Sequence, residues 1–154
     1  MKLSKMKKFS LTGWVFAAVA ANIAGLCWAQ TEPKPPELTI KASTIQVPVT
    51  LGTYCWSSPT HGGAALCMDS VAPPDLLKNT TPTIVPSGSG LLLNFSDTPI
   101  HISIDAWIDG APVRQQTAMP HALTIPDKPG IYIYSVSAQW DQGEAYYAFA
   151  VEVR

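Results

Sequence analysis

The sequence predicts an all-β protein folded as a two-sheet antiparallel sandwich. Three observations carry the prediction. Apolar and polar residues alternate along short runs from residue 38 to the C-terminus, which is the period of a half-buried strand. Proline, glycine and aspartate interrupt those runs at the intervals of about eight to twelve residues that small all-β domains show. No window in this region carries apolar residues at i, i+3, i+4 and i+7, the spacing of a long amphipathic helix. Charged residues are only 14% of the chain, and serine and threonine supply much of its polarity. That balance suits an extracellular β protein.

Residues 1–29 have the pattern of an export signal. Lys2, Lys5, Lys7 and Lys8 precede an apolar stretch from Leu11 to Leu26, and Cys27-Trp28-Ala29 puts small residues at the −3 and −1 positions of a peptidase site. Two alternatives stay open. Residues 11–29 approach the ~20 residues that span a bilayer, so they could act as an uncleaved anchor. Cys27 could instead be the lipidated residue of a lipoprotein, although Leu26 before it is larger than the small residue a lipobox wants. Beyond Ala29 the chain has six basic and eleven acidic residues, a net charge of −5. Such a surface excludes an electrostatic footprint for nucleic acid. It leaves membrane association to an uncleaved or lipidated N-terminus.

Cys55 and Cys67 are then the only cysteines left, with residues 56–66 between them and Pro59, Gly62 and Gly63 to turn the chain back. An oxidising compartment favours a disulfide. Closing this loop would stabilise the fold by about 3 kcal/mol on the chain-entropy account. A zinc site is the rival reading, because His61 lies between the two thiols. Two thiols and one imidazole fall short of the four closely spaced ligands that zinc takes.

The elements follow in order. Residues 30–37 contain Pro33, Pro35 and Pro36 and read as an extended spacer. Leu38–Lys41 and Thr44–Tyr54 are predicted strands, the second with Val47, Val49 and Leu51 on one face and Pro48 marking an edge. Pro73 to Lys78 is the best helical candidate, a turn or two opened by proline. Pro82–Val85 is a short strand. Leu91, Leu93 and Phe95 share a face in the next strand, and Ile100, Ile102, Ile104 and Ala106 in the one after. Asp109-Gly110 is a turn, followed by short strands at Val113–Thr117 and His121–Ile125. Ile131–Trp140 turns Tyr132, Tyr134, Val136, Ala138 and Trp140 to one side. After the hairpin turn Asp141-Gln142-Gly143-Glu144, the last strand turns Ala145, Tyr147, Phe149, Val151 and Val153 inward.

Gly130-Ile131-Tyr132, leading into the penultimate strand, resembles the tyrosine corner of immunoglobulin-like domains, with Tyr132 as the corner residue. The resemblance covers residues 82–154 and implies an immunoglobulin-like sandwich. Residues 38–81 would then be an N-terminal extension bearing the disulfide loop, within one domain. Tyr134 stands where antibody-type domains carry their second core cysteine. The chain also resembles a group of small exported proteins of Gram-positive bacteria with no established activity. The shared residues are Val47 to Trp56, Cys67, Pro73 to Leu77, Pro129 to Tyr134 and Tyr146 to Phe149. That resemblance implies export and fold and brings no catalytic residue with it.

Residues that could carry chemistry are few. His61, His101 and His121 are the only histidines. No cysteine follows Cys67, and no histidine or methionine follows His121, so the clustered ligands of a blue-copper site are missing. A looser site would use His101, Met119 and His121. Asp105, Ser103 and His101 share one face of one strand, but residues two apart on a strand are ~6.6 Å apart, a poor geometry for a triad. No G-x-S-x-G elbow is present.

The aromatic residues are the remaining lead. Trp56, Trp107, Trp140 and Tyr146, with His61, are the candidate ligand contacts. The plain alternative has Trp56 packing on the disulfide, Trp140 closing the core and the extension covering Trp107. The favoured expectation is an exported, non-enzymatic binding domain of the cell envelope or extracellular space. It would take a protein or carbohydrate ligand and need no cofactor. Two other readings stay open. One is a copper- or zinc-binding exported protein using His61, His101, His121 and Met119. The other is an enzyme whose site no motif reveals.

Overall fold

The computed structural model describes residues 33–57, 63–115 and 122–154. The leader, His61, Met119 and His121 therefore lie outside the described residues. The described elements are β1 (Leu38–Ala42), β2 (Ile45–Val47), β3 (Thr50–Ser57), β4 (Ala65–Met68), α1 (Pro73–Leu76), β5 (Thr83–Val85), β6 (Gly90–Phe95), β7 (His101–Ile108), β8 (Ala111–Gln115), β9 (Ala122–Thr124), β10 (Gly130–Trp140) and β11 (Gly143–Val153). The fold is all-β, as the alternation predicts.

The strands form two sheets. One has the order β2-β1-β6-β9, and the other β4-β3-β11-β10-β7-β8. The pairs along both orders are antiparallel. β5 departs from them, running parallel to the end of β11 with Val151 opposite Thr83. Residues 38–57 supply strands inside both sheets instead of lying against a finished pair. β1 sits between β2 and β6, and β3 between β4 and β11. The predicted strand Thr44–Tyr54 divides at Pro48 and Val49. Proline has no N–H to give a ladder, and here the chain leaves one sheet for the other.

The tight turns explain themselves. Ile108 pairs with Ala111 across Asp109 and Gly110, whose φ values are +51° and +78°. Both central residues are thus left-handed, as a two-residue type I′ hairpin requires. Trp140 pairs with Gly143 across Asp141 and Gln142. Gly143 has φ +154°, and a Cβ there would overlap the Cys55 carbonyl oxygen of the neighbouring strand. Only glycine permits that approach.

Side chains from both sheets meet in one cluster. Ile40, Leu91, Leu93 and Leu123 come from the first sheet, and Ile104, Tyr134, Val136, Phe149 and Val151 from the second. These are the inward positions predicted for β6, β7, β10 and β11. Ile100 is the exception, being 68% exposed just before β7 begins. Phe95 packs edge-on against Trp140 and Tyr147, with centroids 5.5 and 5.7 Å apart. These contacts tie the two sheets together. Tyr134 stacks on Phe149 at 5.3 Å, and burial pushes its phenol up to about 12 with Tyr132 adding to the shift.

The other face of the second sheet is partly covered. α1 and Leu77 lie over it, with Leu77 packed against Ala148 and Ala150. The predicted helix is one turn, opened by its prolines as expected.

Candidate functional site

The part of this outer face that α1 leaves open holds a groove of about 490 Å³. Its floor exists because small residues sit on the central strands. Ser135 of β10 lies opposite Ala148 of β11 and opposite Asp105 of β7. In β3 the register shifts opposite Tyr146, placing Gly52 at the groove. A Cβ on Gly52 would come within 3.1 Å of the Ser70 hydroxyl and 3.3 Å of the Tyr146 carbonyl oxygen.

Larger side chains bound this floor. Trp107 of β7 and Tyr146 of β11 line it, with Val71, Pro73 and Leu76 from the segment after β4. The Trp107 indole is half-buried, and its Nε1–H donates to the Ser135 Oγ at 2.9 Å. The ring is thereby fixed, and the buried Ser135 hydroxyl is satisfied. The wall after β4 is pinned by the Ser70 N–H, which donates to the Thr53 Oγ1 at 3.1 Å.

The charges at the groove are Asp105 and Glu144. Asp105 is neutralised by Arg114 across the β7–β8 pair, at 2.7 Å, with the arginine largely in solvent. Screening at that exposure keeps the pair weak, about 0–1 kcal/mol. Glu144 is exposed beside Tyr146. The Tyr147 phenol points to the opposite side, where it donates to the Pro36 carbonyl at 2.5 Å. Burial raises its pKa above the ordinary tyrosine range.

The sequence-predicted residues separate into three groups. Trp107 and Tyr146 come together at the groove. Trp56 and Trp140 do not join them. They are 8% and 4% exposed, meet edge-on at 5.4 Å and belong to the core, and Trp140 donates to the Asp97 carbonyl. Their expected role as exposed ligand contacts gives way to core packing. Trp56 does not lie on the disulfide either, because adjacent strand residues face opposite sides and Cys55 points outward. His61 lies outside the described residues.

The disulfide itself is present between Cys55 and Cys67, which are directly opposed in the β3–β4 pair. Both half-cystines are exposed. The Tyr132 hydroxyl donates to the Lys128 carbonyl at 2.7 Å. His101 is exposed at the start of β7. Among the described residues no three His, Cys, Asp or Glu side chains are grouped to hold a metal. Sequence reasoning missed Ser135, Arg114 and the Val71–Pro73 wall. Ser135 was legible as an outward residue of β10, but its neighbours depend on strand order, which no local pattern encodes.

No family model matches this chain, and no curated protein or solved structure matches it.

Proposed function

We propose that the chain is an exported, non-enzymatic binding domain of the cell envelope or extracellular space, and that the outer groove of the second sheet holds its ligand. The observation that carries this reading is the groove itself. It combines an open trough, a tryptophan fixed by a buried serine, an exposed tyrosine and only a few polar groups. Ligand sites are built in this way, from apolar lining with a small number of placed polar atoms. One acidic side chain of the groove, Asp105, is engaged by Arg114, which suits a structural or ligand-positioning role.

Export is supported by the exposed Cys55–Cys67 disulfide, which persists in oxidising surroundings, together with the leader pattern of residues 1–29. An immunoglobulin-like sandwich is supported by the Tyr132-to-Lys128 bond, the contact a tyrosine corner makes.

Co-sedimentation of the purified protein with isolated cell envelopes tests the proposal. The wild type should pellet with them in a saturable way, and a W107A/Y146A variant of unchanged thermal midpoint should remain in the supernatant. Equal sedimentation of the two proteins would count against the groove. No sedimentation of either would remove the binding reading.

A further inference from the structure

We infer that the groove takes a neutral saccharide, a segment of one or two sugar rings, with Trp107 as its stacking platform. The inference rests on the binding reading above and names the ligand class for that site. Four features of the groove argue for a sugar.

The first is the ring. A pyranose has an apolar face of C–H bonds that packs flat on an aromatic side chain. Trp107 is held in one orientation by its bond to Ser135, so little conformational freedom is lost when a ligand stacks on it. Tyr146, 42% exposed, offers a second ring in the same groove.

The second is the polar lining. Sugar hydroxyls both donate and accept. The groove offers carboxylate acceptors on Asp105 and Glu144, and its Ser70 and Thr53 hydroxyls are already bonded to each other, to the Ser70 N–H and to the Val71 carbonyl. The guanidinium that holds Asp105 is itself a donor array beside that carboxylate.

The third is charge. Arg114 already balances Asp105, so that carboxylate does not call for a cationic ligand, and the exposed Glu144 is left to accept from sugar hydroxyls.

The fourth is what the groove lacks for a peptide. Of the strands beneath it, β11, β10 and β7 are interior to the sheet and pair with a neighbour on each side, while β3, which β4 covers only from Tyr54 to Ser57, is bordered at Thr53 by Ser70, whose N–H bonds the Thr53 hydroxyl. A peptide recognised as an added strand needs a free sheet edge to receive its backbone. On this face its backbone groups would meet side chains alone. The volume of about 490 Å³ falls within the range of about 300–1,000 Å³ typical of small-ligand sites.

The test is a titration followed by the Trp107 indole N–H signal in two-dimensional NMR, identified by its loss in W107F. The probes are N,N′-diacetylchitobiose, cellobiose and maltose, with a lysine-rich and a proline-rich peptide as controls. At least one disaccharide should shift the signal in a saturable way. Affinity, followed by calorimetry, should fall about tenfold or more in W107A, stay within about threefold in W107F, and fall about threefold or more in Y146A, because flat aromatic area is the shared requirement. Y146A changes an exposed ring and keeps the test open should W107A fail to fold. Saccharide binding that is indifferent to both alanine variants would overturn the inference. A shift with a peptide and with none of the sugars would overturn it while leaving the groove as a binding site. No shift with any probe would overturn the sugar and the groove together.

Discussion

The bond from the Trp107 indole to the Ser135 Oγ joins two outward side chains of neighbouring strands. Replacing the serine by alanine leaves a half-buried N–H without its partner, a change that costs about 1–3 kcal/mol. S135A should therefore lower the unfolding free energy measured in denaturant by that amount and increase quenching of Trp107 fluorescence by acrylamide. Gly143 makes an independent prediction. Its φ of +154° and the overlap of any Cβ with the Cys55 carbonyl mean that G143A forces β3 and β11 apart. A loss of about 2 kcal/mol or more is expected, measured by chemical denaturation.

Tyr134 predicts a pH effect. Its phenol is raised from 10.0 to about 12 in the folded state, so the folded chain holds the proton more tightly than the unfolded one. The stability this gives is complete below the unfolded value and disappears as pH rises through the folded one. Alkaline unfolding followed by circular dichroism should thus set in between about pH 10 and 12, and Y134F should move its midpoint upward.

At the scale of elements, β4 is an edge strand joined to β3 by a disulfide between directly opposed residues. The chain then runs straight into the wall formed by Ser70, Val71 and Pro73. Removing the bridge with C55S/C67S should lower stability by about 2–4 kcal/mol. It should also speed hydrogen exchange at the Ser70 amide, whose acceptor is Thr53, more than at amides of β10. Equal acceleration throughout would mean that the bridge acts on the whole domain and not on the wall.

The same scale shows what was legible from sequence. The inward sets of β6, β10 and β11 follow from alternation alone, because one buried face forces a period of two. The turns at Asp109-Gly110 and Asp141-Gln142 are also local chemistry. The break between β1 and β2 follows from the pattern, but their pairing as a hairpin does not, because it turns on Ser43 at φ +56°, a conformation serine rarely signals. The parallel pairing of β5 has no local signature either. The groove was half legible. Trp107 and Tyr146 could be read as outward residues of their strands, but their meeting over Ser135 and Ala148 is set by strand order. Trp56 and Trp140 misled for the complementary reason. Size and polarity made them plausible ligand contacts, and only the pairing of the sheets reveals that both point inward.

At the scale of the whole molecule, the proposed export rests on the exposed Cys55–Cys67 disulfide and the leader pattern of residues 1–29. Tyr147, bonded to the Pro36 carbonyl, fastens the proline-rich segment to the body. The measurement that tests export most directly is the intact mass of the native protein before and after reduction. Export with cleavage after Ala29 predicts a chain beginning near Gln30 that gains the mass of two hydrogens on reduction, one bridge opened to two thiols. A full-length mass that does not change on reduction would contradict both export and the bridge, and an acyl adduct on Cys27 would contradict the cleavage after Ala29.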